Sequence, residues 1–196
     1  MTIGQPWTET RLVVVDVEGN GEHAARLVEL AVLPIVDGVI SDPTTWMVRP
    51  PTPITWQATR VHGITNQDVA DLHPFATVED DVLAHLGVGA LVAHNAYADL
   101  AALGREVPSW QPSAVIDTLK LAREVLPGLK RYALRDLADA FGLDAGIPPG
   151  WRRHCAAYDA LVTARLLFRL AAEGGLTTVA QLASLPAATP KPTTLF

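Results

Sequence analysis

Leu12-Val-Val-Val-Asp16-Val-Glu18 is an apolar, β-branched run that closes on two acidic residues. β-Branched side chains suit a pleated, buried surface, so the run predicts a central strand. Side chains two apart on a strand share a face, which places the Asp16 and Glu18 carboxylates side by side. Acids in a buried strand are costly unless paired or bound to metal. Two readings stand at this point: an acidic pair with a chemical role, or an Asp16 that ends the strand and caps a turn into Gly19-Asn20-Gly21.

Outward from this strand, Leu27-Val-Glu-Leu-Ala-Val-Leu33 predicts a second strand. Asp37-Gly38 predicts the turn into a third, ending near Trp46-Met-Val48. Pro50, Pro51 and Pro53 then stop regular structure. From there helix and strand alternate. Thr77-Val-Glu-Asp80 has the form of a helix start, with an apolar stripe through Val78, Val82 and Leu86. Ala90-Leu-Val-Ala93 and Ala114-Val-Ile116 read as short buried strands. Helices are expected over Tyr97 to Leu103, Thr118 to Leu126, Leu134 to Phe141 and Ala156 to Ala172, the last two closed by Gly142 and Gly174-Gly175. Early strands followed by alternating helices and strands predict an α/β fold, a mixed sheet flanked by helices. Residues 1–10 read as a polar N-terminal lead-in, 11–185 as the single domain and 186–196, with little to bury, as a flexible C-terminal tail.

The chain has 196 residues, 49% of them hydrophobic and 18% charged, the balance of one compact domain. A single cysteine, Cys155, excludes an internal disulfide and a Cys/His zinc cluster of ordinary spacing. Apolar runs fall short of the ~18 residues of a membrane span, and the first residues lack a signal-peptide pattern. The expected location is therefore cytoplasmic, with no membrane partner. A formal charge of −6 argues against a broad basic surface coating duplex nucleic acid. It is compatible with a nuclease, because four acids neutralised by divalent cations leave only about −2 elsewhere.

Two further clusters join the acidic pair. His94-Asn95-Ala-Tyr97-Ala-Asp99 directly follows a predicted strand, which puts Asp99 at the carboxyl edge of the sheet, where open α/β sheets bind ligands. His154-Cys-Ala-Ala-Tyr-Asp159 precedes and enters the last long helix. If both were helical, His154 and Asp159 would lie about 140° apart. They converge only with His154 on the loop, which the upstream Pro148-Pro149-Gly150 favours. Each cluster alone has an ordinary structural reading. Together, four carboxylates and a histidine beside strand ends and helix starts suit two hard divalent cations with oxygen ligands. Such a pair can clamp a phosphodiester, and a histidine is then the natural base for the attacking water.

The order Asp-x-Glu, His-Asn-x-x-x-Asp, His-x-x-x-x-Asp resembles the DEDDh 3′–5′ exonucleases, the group that contains the proofreading epsilon subunit of bacterial DNA polymerase III. Val61-His-Gly-Ile-Thr-Asn-Gln-Asp-Val69 and Asp117-Thr-Leu-Lys-Leu-Ala-Arg123 are similar to that family's intervening segments, so the likeness spans about Leu12 to Ala172. It implies a ribonuclease H-like fold with a five-stranded mixed sheet, three antiparallel strands then two parallel. It implies Asp16, Glu18, Asp99 and Asp159 as ligands of two Mg²⁺ or Mn²⁺ ions and His154 as general base. It also implies hydrolysis of single-stranded DNA ends to nucleoside 5′-monophosphates, by a free-standing enzyme or a proofreading one. Val17, Gly19, His94, Asn95, Tyr97 and Arg153 are the expected substrate contacts. One departure is plain: Gly19-Asn20-Gly21 stands where the family has Thr-Thr-Gly or similar.

Other signals leave alternatives open. Tyr97 either stacks on a base or packs on the sheet, and Arg152-Arg153 and Lys130-Arg131 either steer phosphates or are solvated charge. His62 reads as ordering the turn at Gly63, and Cys155 as a small buried residue. Gln181-Leu-Ala-Ser-Leu185 and Thr194-Leu-Phe196 resemble sliding-clamp peptides only in part, and helix packing and a frayed tail account for them. A DNA polymerase or sliding clamp therefore stays open as a partner. Two rivals stand beside a DNA exonuclease: an enzyme for RNA or oligoribonucleotide 3′ ends, and a non-catalytic module that docks on a polymerase.

Overall fold

The computed structural model describes residues 4–183. Strand β1 (Leu12–Gly19) lies at the centre of the sheet. It pairs antiparallel with β2 (Leu27–Val36) and parallel with β5 (Ala90–Ala93), which pairs parallel with β6 (Val115–Asp117). The third antiparallel position is divided between β3 (Val39–Ile40) and β4 (Thr44–Met47), both on the outer edge of β2. Among the described residues the sheet is thus six-stranded where five strands were expected. Pro43 lies in the break; with no N–H to give to a ladder, proline interrupts strand pairing.

Alternation along β1 sorts the core into two layers. Leu12 and Val14 point into one cluster and Val13 and Val15 into the other. The first is covered by α4 (Thr118–Val125), α5 (Leu134–Phe141) and α6 (Ala156–Gly174), the second by α2 (Glu79–Leu86) and α3 (Tyr97–Glu106). Burial of apolar area on both faces of one sheet is the main source of stability for such a layered domain.

Three local expectations change. Thr77 does not cap α2: its hydroxyl donates to the Pro74 carbonyl (2.9 Å), and Val78 occupies the N-cap without a side-chain bond. A short helix α1 (Trp56–His62), which the sequence pattern does not announce, follows the prolines, with the Thr55 hydroxyl accepting from Ala58 N. From Pro6 to Thr10 the chain is also packed rather than a free lead-in. Trp7 is buried, its ring nitrogen donates to the Leu176 carbonyl (3.0 Å), and its ring meets Phe168 edge-on at 4.9 Å. Pro6 bridges to Thr178, just before the last described helix, α7 (Val179–Ala183). Within α7, Gln181 accepts from Thr177 N and Thr178 N, so this part of the clamp-like peptide is taken up by helix capping. Leu185, residues 186–196 and the terminal Thr194-Leu-Phe196 lie outside the described residues. Among the described residues no helix is long and apolar enough to cross a membrane.

Candidate active site

The carboxyl ends of the parallel strands β1 and β5 meet at one edge of the sheet, and α6 crosses beside them. Asp16 and Glu18 continue the face of Leu12 and Val14, the face that α6 covers. The pairing of β1 with β2 slips by one residue between Glu18 and Gly19. Such bulges bend a strand and re-aim side chains, and they are common beside active sites.

Asp99 arrives from the first turn of α3 and is buried, with 7% exposure. Its Oδ1 accepts from the Val17 amide at 3.1 Å, so the backbone between the two β1 acids holds it in place. Asp159 lies in the first turn of α6. Its Oδ2 accepts from the His154 amide at 3.1 Å, and His154 Nδ1 stands 4.0 Å from the same oxygen. His154 lies outside the helix, with φ +62. This left-handed conformation is costly for a residue with a Cβ and clusters at functional sites. It is also what turns His154 back over Asp159, the geometry that a wholly helical segment denies.

The acids crowd one another. Burial, then Asp99, Asp159, Glu18 and Glu29, raise the Asp16 carboxyl well above the carboxylate range. Burial, then Asp159, Glu29 and Asp99, push Glu18 up to about 8. Burial brings Asp99 to about 7 against the hydrogen bond from Val17, and burial raises Asp159 against the opposing pull of His154. Clustered buried acids of this kind hold protons unless a cation replaces them. Glu18, His154 and Asp159 each present a ligand atom within 4.8 Å of the others. An oxygen-rich donor set with strained protonation fits a hard divalent cation. The residues therefore suit the metal that the resemblance implies.

The remaining expected contacts divide. Tyr97 is 81% exposed at the start of α3. Asn95 takes φ +71, and its amide donates to Asp117 Oδ1 (3.1 Å). His94 holds structure together. Its Nε2–H donates to the Tyr132 carbonyl (3.0 Å), leaving Nδ1 to accept from the Thr118 hydroxyl (2.9 Å). With both nitrogens engaged, it braces the turn that carries Asp99 rather than reaching for substrate. The amide of Val17 is likewise committed to Asp99. Arg153 is held by Asp139 and lies 3.8 Å from Asp144, drawn towards α5 and the loop after it. Arg152 donates to the His62 carbonyl (3.3 Å) and so ties the α6 approach to α1. Cys155 is half-buried at the N-cap of α6.

Gly19-Asn20-Gly21 turns out to be built for its place. A Cβ at Gly19 would come within 2.9 Å of Ala25 Cβ, and Gly21, at φ +83, would drive one into Thr55 and Ala58. Asn20 is fully buried: its amide nitrogen donates to Thr52 Oγ1 (2.8 Å), its oxygen accepts from Arg26 N (2.9 Å), and its carbonyl accepts from Thr55 N (2.9 Å). His62 completes the fastening. Its Nδ1 accepts from Ile64 N (3.0 Å), so Nε2 carries the proton and donates to the Gly19 carbonyl (3.2 Å). Sequence reasoning missed the work of Asn20, of Asp117, which also caps α4 by accepting from Leu119 N (3.0 Å), and of Glu29. The signal for Glu29 was present: it is an acid in an apolar strand, the same oddity that singled out Asp16.

Comparisons with known proteins place the chain in a family. Residues 13–167 match the family described as Exonuclease. Exodeoxyribonuclease 10 of Escherichia coli (strain K12) is 37% identical over 166 residues, covering 85% of this chain and 71% of that protein. The solved structure described as Exonuclease X in complex with 5′ overhanging duplex DNA superposes with a TM-score of 0.75 at 36% identity, covering 88% of this chain and 97% of that one. The nuclease domain of 3′hExo, described as a DEDDh family member bound to rAMP, shares the fold at a TM-score of 0.67 and 19% identity, covering 85% of this chain and 94% of that one. With a ribonuclease H-like architecture and the ordered acids and histidine at its sheet edge, the chain belongs to the exonuclease family, in its DEDDh group.

Proposed function

We propose that the protein is a 3′–5′ exonuclease that hydrolyses single-stranded DNA ends to nucleoside 5′-monophosphates. The observation that carries the proposal is the crowding of Asp16, Glu18, Asp99 and Asp159, with raised carboxyl pKa values, together with His154, which bonds through its own backbone to Asp159 and lies within 4.8 Å of Glu18. The names of the relatives, Exodeoxyribonuclease 10 and an exonuclease X bound to overhanging duplex DNA, support DNA as the substrate class. Asp16, Glu18, Asp99 and Asp159 would hold two Mg²⁺ or Mn²⁺ ions. When bound, the cations lower the pKa of a water and neutralise charge on the phosphate and the leaving 3′ oxygen.

The side chains supply the rest. His154 takes the proton of the attacking water at Nε2, while Asp159, 4.0 Å from Nδ1, stabilises the imidazolium that results. A water oxygen bonds to phosphorus as the bond from phosphorus to the 3′ oxygen breaks, and the shortened chain recovers a 3′ hydroxyl with a proton from solvent. Tyr97, exposed at the start of α3, offers a ring for a base near the terminus.

The test is cleavage of a 5′-labelled single-stranded DNA oligomer in Mg²⁺, Mn²⁺ or EDTA by wild type and Asp16→Ala. The expected result is a ladder shortening from the 3′ end, dependent on metal and reduced by at least about 10³-fold in the variant. Faster cleavage of a matched RNA would reassign the substrate. Inertness towards both, with metal present, would move the protein to a polymerase-docking role.

A further inference from the structure

Glu29 lies on β2 directly opposite Glu18. Like charges facing each other across a strand pair are destabilising, and the arrangement persists here with a specific bond. Glu29 Oε2 accepts from the amide of Ala156 at 3.0 Å. Ala156 is the first residue of α6, and the helix lacks a cap of its own, since Cys155 at the N-cap makes no side-chain bond. First-turn amides are orphan donors that a nearby side-chain oxygen normally satisfies, and the helix dipole favours a negative charge there. Here the acceptor comes from a distant strand. The same first turn of that helix carries Asp159, and the residue two before Ala156 is His154, whose amide is itself bonded to Asp159. Glu29 therefore grips the one segment that brings two functional side chains to the β1 acids.

We propose that Glu29 is a positioning residue of the active site: by capping α6 from β2 it sets the distance of Asp159 and His154 from Asp16 and Glu18. The inference rests on the exonuclease reading above. Glu29 touches no reacting atom in this scheme. It acts by geometry, and reacting groups displaced by about 1 Å can lose about 10²-fold in rate.

The test compares wild type, Glu29→Gln and Glu29→Ala. Glutamine keeps the acceptor oxygen and loses the charge; alanine loses both. With saturating Mn²⁺ and single-stranded DNA, kcat in the alanine variant should fall by about 30-fold or more with KM within about threefold, and glutamine should restore kcat to within about fivefold of wild type. Amide hydrogen exchange in EDTA, which needs neither metal nor substrate, should show Ala156 exchanging at least about tenfold faster in Glu29→Ala and at the wild-type rate in Glu29→Gln. A kcat loss below about tenfold in Glu29→Ala, an equal loss in Glu29→Gln, a loss confined to KM, or unchanged exchange at Ala156 would each overturn the proposal. If Glu29→Ala does not fold, Glu29→Asp, whose carboxylate is withdrawn by one methylene, takes its place with the same expectations. An inactive wild type would strike the exonuclease reading instead, and the exchange measurement would still decide the role of Glu29.

Discussion

At the scale of the residue, the site is a store of unfavourable charge. Asp16, Glu18, Asp99 and Asp159 all bind protons more tightly in the folded protein than carboxylates do in an unfolded chain, Glu18 up to about 8 and Asp99 to about 7. Between roughly pH 4, where unfolded carboxylates titrate, and these raised values, the folded state carries the extra protons. Stability of the metal-free protein therefore falls as pH rises through that window. Melting in EDTA should show Tm dropping by about 5 °C or more from pH 5 to pH 8. In Asp16→Asn, which removes one member of the repelling set, the drop should be shallower. Mn²⁺ should stabilise more at pH 8 than at pH 5, because it displaces the protons. A Tm in EDTA that is flat or rises over this range would contradict the crowding picture.

At the scale of the element, the end of β1 is fastened to α1 by Asn20 and His62, and the turn after β5 is braced by His94 and Asp117. The glycines flanking Asn20 allow the close approach; Asn20 itself holds it. Asn20→Ala leaves the part-buried Arg26 amide without its acceptor, which should cost about 1–3 kcal/mol. Because the acids are positioned by other contacts, kcat should stay within about threefold while KM for the oligonucleotide rises severalfold. Steady-state kinetics beside a thermal melt would check this, and a collapse of kcat at constant KM would place the loop in the chemistry instead. The helix α1 is legible in principle: Thr55 and Gly63 bracket it as N-cap and left-handed C-terminal residue. It escapes a reading by pattern because seven residues containing Thr59 and Val61 carry little helical signal of their own.

At the scale of the whole molecule, the two ends of the described chain are stitched together beneath α6. Trp7 donates from its backbone to Thr177 and from its ring to Leu176, and Val179 donates to Gln5. A short, polar, proline-containing segment reads as a lead-in, since nothing local says what Trp7 will meet. Its partner, Phe168, lies about 160 residues away on the helix that carries Asp159. Trp7→Ala should cost about 3–5 kcal/mol, as removal of a buried aromatic does. Calorimetry of the variant is the check. A cost near zero would return residues 6–10 to the status of a loose lead-in.

What the sequence determined by itself was the sheet-and-helix alternation, the central strand and the ordered set of acids. These depend on local periodicity and on residue chemistry at fixed spacing, both of which are written along the chain. The spacing even required His154 to leave the helix, and its φ of +62 is that requirement met. The tertiary structure decided which side chains commit their hydrogen bonds before any substrate arrives. His94 stands in a motif position and Arg153 just before one, yet Tyr132, Thr118 and Asp139 engage them. Glu29 sits in an otherwise ordinary strand and becomes the cap of α6. Such pairings join residues as many as 127 positions apart. No local pattern encodes them, because they arise only when packing of the apolar faces brings distant polar groups within bonding distance and burial makes an unmet bond costly.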